Sequence, residues 1–217
     1  MIWWVVLLVI LSYLLGSIPA GFLVVRAVKG VDVRRCGSGN VGAMNVYRTA
    51  GLLPAAVVGI VDFFKGAVPV AVAKAAGLGP LAQVLGAGAA IVGHNWSVFL
   101  RFGGGKGVAA TVGAVAALDP WSALVFLLAW VTMAGITRYS SLGSMVGSCV
   151  VPLVMAGRGV GLEYIVFAAA AAAMVLYRHK SNIKRLIAGK ELRIDHKAGP
   201  SVARTQGEGQ GQGGDRS

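Results

Sequence analysis

Seven runs of apolar residues divide the chain, at about 2–25, 52–75, 81–100, 106–118, 121–137, 142–157 and 161–177. A helix crossing roughly 30 Å of hydrocarbon needs about 20 residues. The pattern therefore predicts membrane-spanning helices, the fourth and sixth runs being short for a crossing. Turn-forming residues separate the runs: Gly51, Gly77 to Pro80, Asp119-Pro120 and Gly157 to Gly161. The expected fold class is all-α, a polytopic membrane protein of about seven transmembrane helices. Pro19 is placed to kink the first helix, and Gly143 and Gly147 fit small-residue helix packing.

Composition supports a membrane protein: 56% of residues are hydrophobic and 13% are charged. The first run carries no charge, and Arg26 and Lys29 follow it rather than precede it. That is the reverse of a signal peptide and predicts a retained first helix. Basic residues fall in alternate connections. Arg26, Lys29, Arg34, Arg35 and Arg48 lie after the first run, Arg101 and Lys106 after the third, Arg138 after the fifth, and Arg178, Lys180, Lys184, Arg185 and Lys190 after the seventh. The positive-inside rule then puts the N-terminus outside and the C-terminus in the cytoplasm. From about residue 198 the chain is Gly, Gln, Ser and scattered charge, so a membrane domain over 1–197 and a disordered polar tail over 198–217 are expected. The net charge of +12 is mostly cytoplasmic and favours anionic lipid headgroups or phosphorylated substrates as partners. A soluble nucleic-acid role is excluded by the spans. Cys36, in a polar loop, and Cys149, in an apolar run, read as two free thiols.

The string Gly37-Ser-Gly-Asn-Val-Gly42 matches a dinucleotide fingerprint in letters alone. A fingerprint needs a buried strand before it and an acid about 20 residues on. Here basic residues precede it, and the nearest downstream acid, Asp62, lies inside an apolar run. What remains is a phosphate seat or a flexible basic turn. Gly37, Gly39 and Gly42 let amides converge on an anion, Ser38, Asn40 and Asn45 add polar side chains, and the Arg48 fork matches phosphate geometry. A second cluster, Gly103-Gly104-Gly105-Lys106-Gly107, lacks P-loop spacing but sets amides and a lysine at a helix start, a second anion seat. A third, with His179, Asn182, Arg185, Gly189 and Glu191, follows the last run; on a helix His179 and Asn182 share a face. Asp62 and Lys65, three apart inside the second run, form either a structural ion pair or a wall of the site. His94 is either a packed polar group or a participant. Asn95-Trp-Ser97 matches a glycosylation acceptor by chance, given its cytoplasmic placement.

These clusters, in this order, resemble the bacterial acyl-phosphate:glycerol-3-phosphate acyltransferase family. The likeness covers about residues 12–192 and rests on "GSIPAGF", "RRCGSGNVGAMNVYR", "DFFKG", "GHNWSVFLRFGGGKGVA" and "YRHKSNIKRLIAGKE". It implies transfer of an acyl group from an acyl phosphate to the 1-hydroxyl of glycerol 3-phosphate, giving lysophosphatidic acid. It also implies a bacterial inner-membrane enzyme, linked to an enzyme that forms acyl phosphate and to a second, lysophosphatidate acyltransferase. By the resemblance, Ser38 and Arg48 serve activity and phosphate handling, Lys106 and the second glycine cluster hold acyl phosphate, and His179 and Asn182 are essential. The chain departs from the family at Ser97, where proline is usual, and at Met44, where threonine is usual.

An acyl phosphate is already activated, so positioning and oxyanion stabilisation suffice, with no covalent nucleophile, metal or cofactor. The hydroxyl proton goes to His179 or, as the resemblance favours, to a substrate phosphate. A transporter would show an internal repeat, and a headgroup transferase would need clustered aspartates. The motifs differ from one another, and Asp32, Asp62 and Asp119 are scattered.

Overall fold

A computed structural model describes residues 2–196; the tail expected to be disordered lies outside them. The described residues are helical, with no strand beyond one isolated bridge between Ser97 and Gly103. In chain order the helices are α1 Ile2–Ser17, α2 Ala20–Lys29, α3 Ala43–Ala50, α4 Leu52–Ala75 and α5 Pro80–Asn95, then α6 Val108–Leu118, α7 Pro120–Thr137, α8 Ser140–Gly157, α9 Leu162–Arg178 and α10 Lys180–Ile187.

All seven apolar runs are helical. Taken together α1 and α2 are long and apolar enough to cross a membrane, as are α4, α7 and α8. The pair α9 and α10, bent by 58°, qualifies only when combined. Helices α5 and α6 are shorter, because residues 96–107 leave the helix to build a loop. Proline opens α5 and α7, where its missing N–H costs no hydrogen bond. Large apolar side chains such as Trp3, Leu52, Trp121, Ile136 and Leu153 face outward, as a lipid-facing perimeter requires.

Glycine lets the backbones approach. A Cβ on Gly66 of α4 would meet the Ala110 carbonyl of α6, and one on Gly113 of α6 would meet the Phe63 carbonyl of α4. Gly16 and Gly93 play the same part between α1 and α5. Gly143 and Gly147 of α8 lie against Trp130 and Phe126 of α7, which is the packing role their spacing suggested. At Pro19 the first helix breaks between Ser17 and Ala20, and the Ile18 carbonyl accepts from Lys65 Nζ at 2.5 Å. Cys36 and Cys149 are free thiols, Cys36 buried and Cys149 exposed.

Candidate active site

The first glycine string folds around Asn45, in the first turn of α3 and 2% exposed. Its amide Nδ2 donates to the carbonyls of Val33, Cys36 and Asn40 at 2.8–3.1 Å, and its Oδ1 accepts from Ser38 N at 2.9 Å. The amide of Gly39 donates to the Cys36 carbonyl, and that of Gly42 to Asn40 Oδ1 at 2.7 Å. Gly37 and Gly39 take positive φ, 52° and 71°, to make this turn. The amides of Ser38, Gly39 and Gly42 are thus spent inside the loop. What it presents to the adjoining cavity is Ser38, Asn40 and Gly42, with Asn45 and Arg48.

The second cluster behaves likewise. Gly103 N donates to the Leu100 carbonyl and Gly105 N to the His94 carbonyl, while the Gly104 and Gly105 carbonyls are taken by Arg178. Gly103, Gly104 and Gly105 do not line the cavity; Lys106, Gly107, Val108 and Ala109 do. The anion-facing part is therefore Lys106 and the first turn of α6, whose N–H groups have no helical acceptor. The triple glycine is needed for closeness, since a Cβ on Gly104 would strike the Asn95 carbonyl and one on Gly105 the His94 ring.

The third cluster forms where the chain bends by 58° from α9 into the polar helix α10. His179 stands at the bend, buried, its Nδ1 2.7 Å from the Val175 carbonyl. A carbonyl only accepts, so the proton sits on Nδ1 and Nε2 is left as an acceptor. Burial, with the Lys106 charge behind it, pushes the imidazole down to about 4. Burial also pushes the Lys106 ammonium down to about 8, against the pull of Glu191. Lys106 Nζ donates to Asn182 Oδ1 at 2.5 Å, and Asn182 Nδ2 donates to Glu191 Oε1 at 2.6 Å. Glu191 also accepts from Ser141 at 2.7 Å and from Arg185 Nε at 2.8 Å. Burial raises its carboxyl, but these hydrogen bonds outweigh it and hold the group ionised below its ordinary range. Arg48 points its fork at the Leu192 and Arg193 carbonyls at 3.0–3.3 Å.

One cavity of about 610 Å³ gathers all three clusters. Ser38, Arg48, Lys106, His179, Asn182 and Arg185 share its wall with the apolar Phe63, Val112, Phe126 and Trp130. Asp62 and Lys65 form the ion pair, and only Asp62 of the two lines the cavity. They pair at 2.6 Å, almost wholly buried, yet Asp62 also faces the cavity beside His94, 3.5 Å away, while Lys65 lies behind. Ser141 and the segment 192–194 were not singled out by sequence, and Glu191 carried no role. Ser141 gives no local signal, being one of many serines; a lone acid among bases was the only clue to Glu191. No group of three or more His, Cys, Asp and Glu side chains gathers for a metal among the described residues.

The glycerol-3-phosphate acyltransferase family model matches residues 6–189. A glycerol-3-phosphate acyltransferase of Desulforamulus reducens is 44% identical over 192 residues, 88% of this chain and 96% of its own. Glycerol-3-phosphate acyltransferase 2 of Moorella thermoacetica is 47% identical over 195 residues, 90% of this chain and all of its own. Crystal structures of PlsY (YgiH), an integral membrane glycerol 3-phosphate acyltransferase, superpose with TM-scores of 0.83 for its glycerol 3-phosphate form and 0.82 for its lysophosphatidic acid form. The first is 39% identical and covers 87% of this chain and 94% of its own. With a family model spanning nearly the whole described chain and relatives this similar, the protein belongs to the glycerol-3-phosphate acyltransferase family of integral membrane proteins.

Proposed function

We propose that the protein transfers an acyl group from an acyl phosphate to the 1-hydroxyl of glycerol 3-phosphate at this cavity. The hydroxyl oxygen attacks the acyl carbonyl carbon, the bond from that carbon to phosphate oxygen breaks, and lysophosphatidic acid and inorganic phosphate leave. The observation that carries the reading is the convergence of Ser38 and Arg48, Lys106, and His179 and Asn182 on one wall that also offers apolar surface. Two substrates bearing phosphate and one bearing a long chain need that combination.

Lys106 and the α6 first turn suit the donor's phosphate, a point charge and amides at a helix start. Arg48 and Arg185 suit the phosphate of glycerol 3-phosphate, which would compete for these arginines with the backbone carbonyls and Glu191. Ser38, on the cavity wall, suits donating to the acyl oxygen as charge develops there. His179, neutral with Nε2 an acceptor, suits holding the second hydroxyl of glycerol 3-phosphate, which leaves the proton of the attacking hydroxyl free. An imidazole held near 4 is a weak base at neutral pH. A phosphate oxygen, titrating at ~6, is the better acceptor, so the proton passes to the substrate. Asp62 and His94 support the wall from within the bundle.

The same reading places the protein in the bacterial inner membrane with seven crossings, the N-terminus outside and the motif-bearing loops and C-terminus in the cytoplasm. Upstream stands an enzyme making acyl phosphate; downstream, a lysophosphatidate acyltransferase. The purified protein, given glycerol 3-phosphate with acyl phosphate, acyl-CoA or acyl-carrier protein in parallel, is expected to make product from acyl phosphate alone. Product from thioesters only would refute the donor, and product from none would refute the activity.

A further inference from the structure

We propose that Phe63 and Phe126 close the deep end of the cavity and so set the length of acyl chain the protein transfers. Two helices give much of the apolar wall as stripes at helical spacing: Leu52, Ala56, Gly59 and Phe63 on α4, and Phe126 and Trp130 on α7. Leu52 opens α4 beside the polar clusters, and Phe63 stands about three turns further in. Phe126 stands about three turns from the end of α7 that adjoins the same clusters, so the two rings lie at a similar depth.

Beyond the rings the bundle is packed. One turn past Phe63, Gly66 brings α4 onto α6, where a Cβ would strike the Ala110 carbonyl. Phe126 is 5% exposed and packs with Val115, Val151 and Met155, none of which lines the cavity. Its ring is held from behind as well, since a Cβ on Gly147 of α8 would come within 2.9 Å of it. The Phe63 ring meets the exposed Phe64 ring edge-on, with centroids 5.5 Å apart. Gly59 has the opposite character. Glycine inside a helix is unfavourable relative to alanine, yet a Cβ there would meet only the Ala43 Cβ, at an ordinary 3.7 Å. Helix packing does not require this glycine; it leaves width in the cavity between the polar clusters and the rings. An acyl chain gains burial along that width until it reaches Phe63 and Phe126. Each further methylene must displace a close-packed core, which costs more than its burial returns.

This role rests on the proposed acyl transfer, and does not depend on which phosphate each basic residue holds. The purified protein is given glycerol 3-phosphate with an equimolar mixture of octanoyl, lauroyl, palmitoyl, stearoyl and arachidoyl phosphates, and the lysophosphatidic acids formed are counted by mass spectrometry. Products of a competing mixture report ratios of kcat/KM, so differences in donor solubility cancel between variant and wild type. Phe126→Ala deepens the cavity and should raise arachidoyl over palmitoyl product by about tenfold or more relative to wild type. Gly59→Leu narrows it and should lower palmitoyl over octanoyl product by a similar factor. Phe63→Leu, a smaller loss of volume at the other ring, should shift the profile toward longer chains, and it carries the test if Phe126→Ala does not fold. A profile unchanged from wild type in the folded ring variants would overturn the proposal and mean that the chain leaves sideways into lipid. A wild type that forms no product from any of these donors would refute the proposed transfer itself, and the chain-length role with it.

Discussion

At the scale of single residues, the division of labour between Lys106 and His179 makes two predictions. His179→Gln keeps an amide able to orient a hydroxyl, so it should retain measurable turnover in the acyl-transfer assay; complete loss with intact substrate binding would make the imidazole the base. Lys106 titrates at about 8, so its charge is present below that pH and lost above it. The profile of kcat/KM for the donor, which reports the free enzyme, should fall on its alkaline side with a pKa of about 8. Lys106→Arg, which stays protonated, should abolish that limb even if activity drops overall; an unmoved limb would assign it to another group. Ser38, Arg48, Lys106, His179 and Asn182 were legible because unusual residue types stand in polar clusters between apolar runs. Asn45 and Glu191 were only half legible. Asn45 read as one more donor for an anion, whereas it bonds inward to four backbone groups of its own loop. Glu191 takes partners from α8 and α10, and a distant pairing leaves no mark in local sequence.

At the scale of elements, the close helix contacts depend on glycine. Gly66→Ala forces a Cβ into the Ala110 carbonyl across the α4–α6 contact, an overpacking expected to cost about 1–3 kcal/mol. Thermal unfolding in detergent should show a clear drop in Tm. Gly88→Ala on α5 meets nothing within 4 Å, so alanine's higher helix propensity should leave Tm unchanged or raised. A similar drop for both would mean these contacts are not what glycine serves. Apolar periodicity located the seven long helices but neither α3 nor α10, short amphipathic pieces at the rim whose apolar positions are too few to register as runs. The third run was read through to residue 100, yet α5 stops at Asn95. Beyond it residues 96–100 form a loop whose Val98 and Phe99 are exposed, and hydropathy alone does not distinguish such a loop from helix.

At the scale of the whole molecule, a bundle of apolar helices carries one polar cavity. The proposed orientation requires both ends of the chain on opposite sides of the membrane. Alkaline phosphatase fused after the last residue should be inactive, and a fluorescent protein fused there should fluoresce; the reverse would invert the topology and put the basic loops outside. The central claim, direct transfer from a phosphorylated donor to glycerol 3-phosphate, is tested most directly by following phosphorus NMR of the purified protein with acyl phosphate and glycerol 3-phosphate. Lysophosphatidic acid and inorganic phosphate should appear in a one-to-one ratio as both substrates disappear. Phosphate released without lysophosphatidic acid, or no reaction, would contradict it.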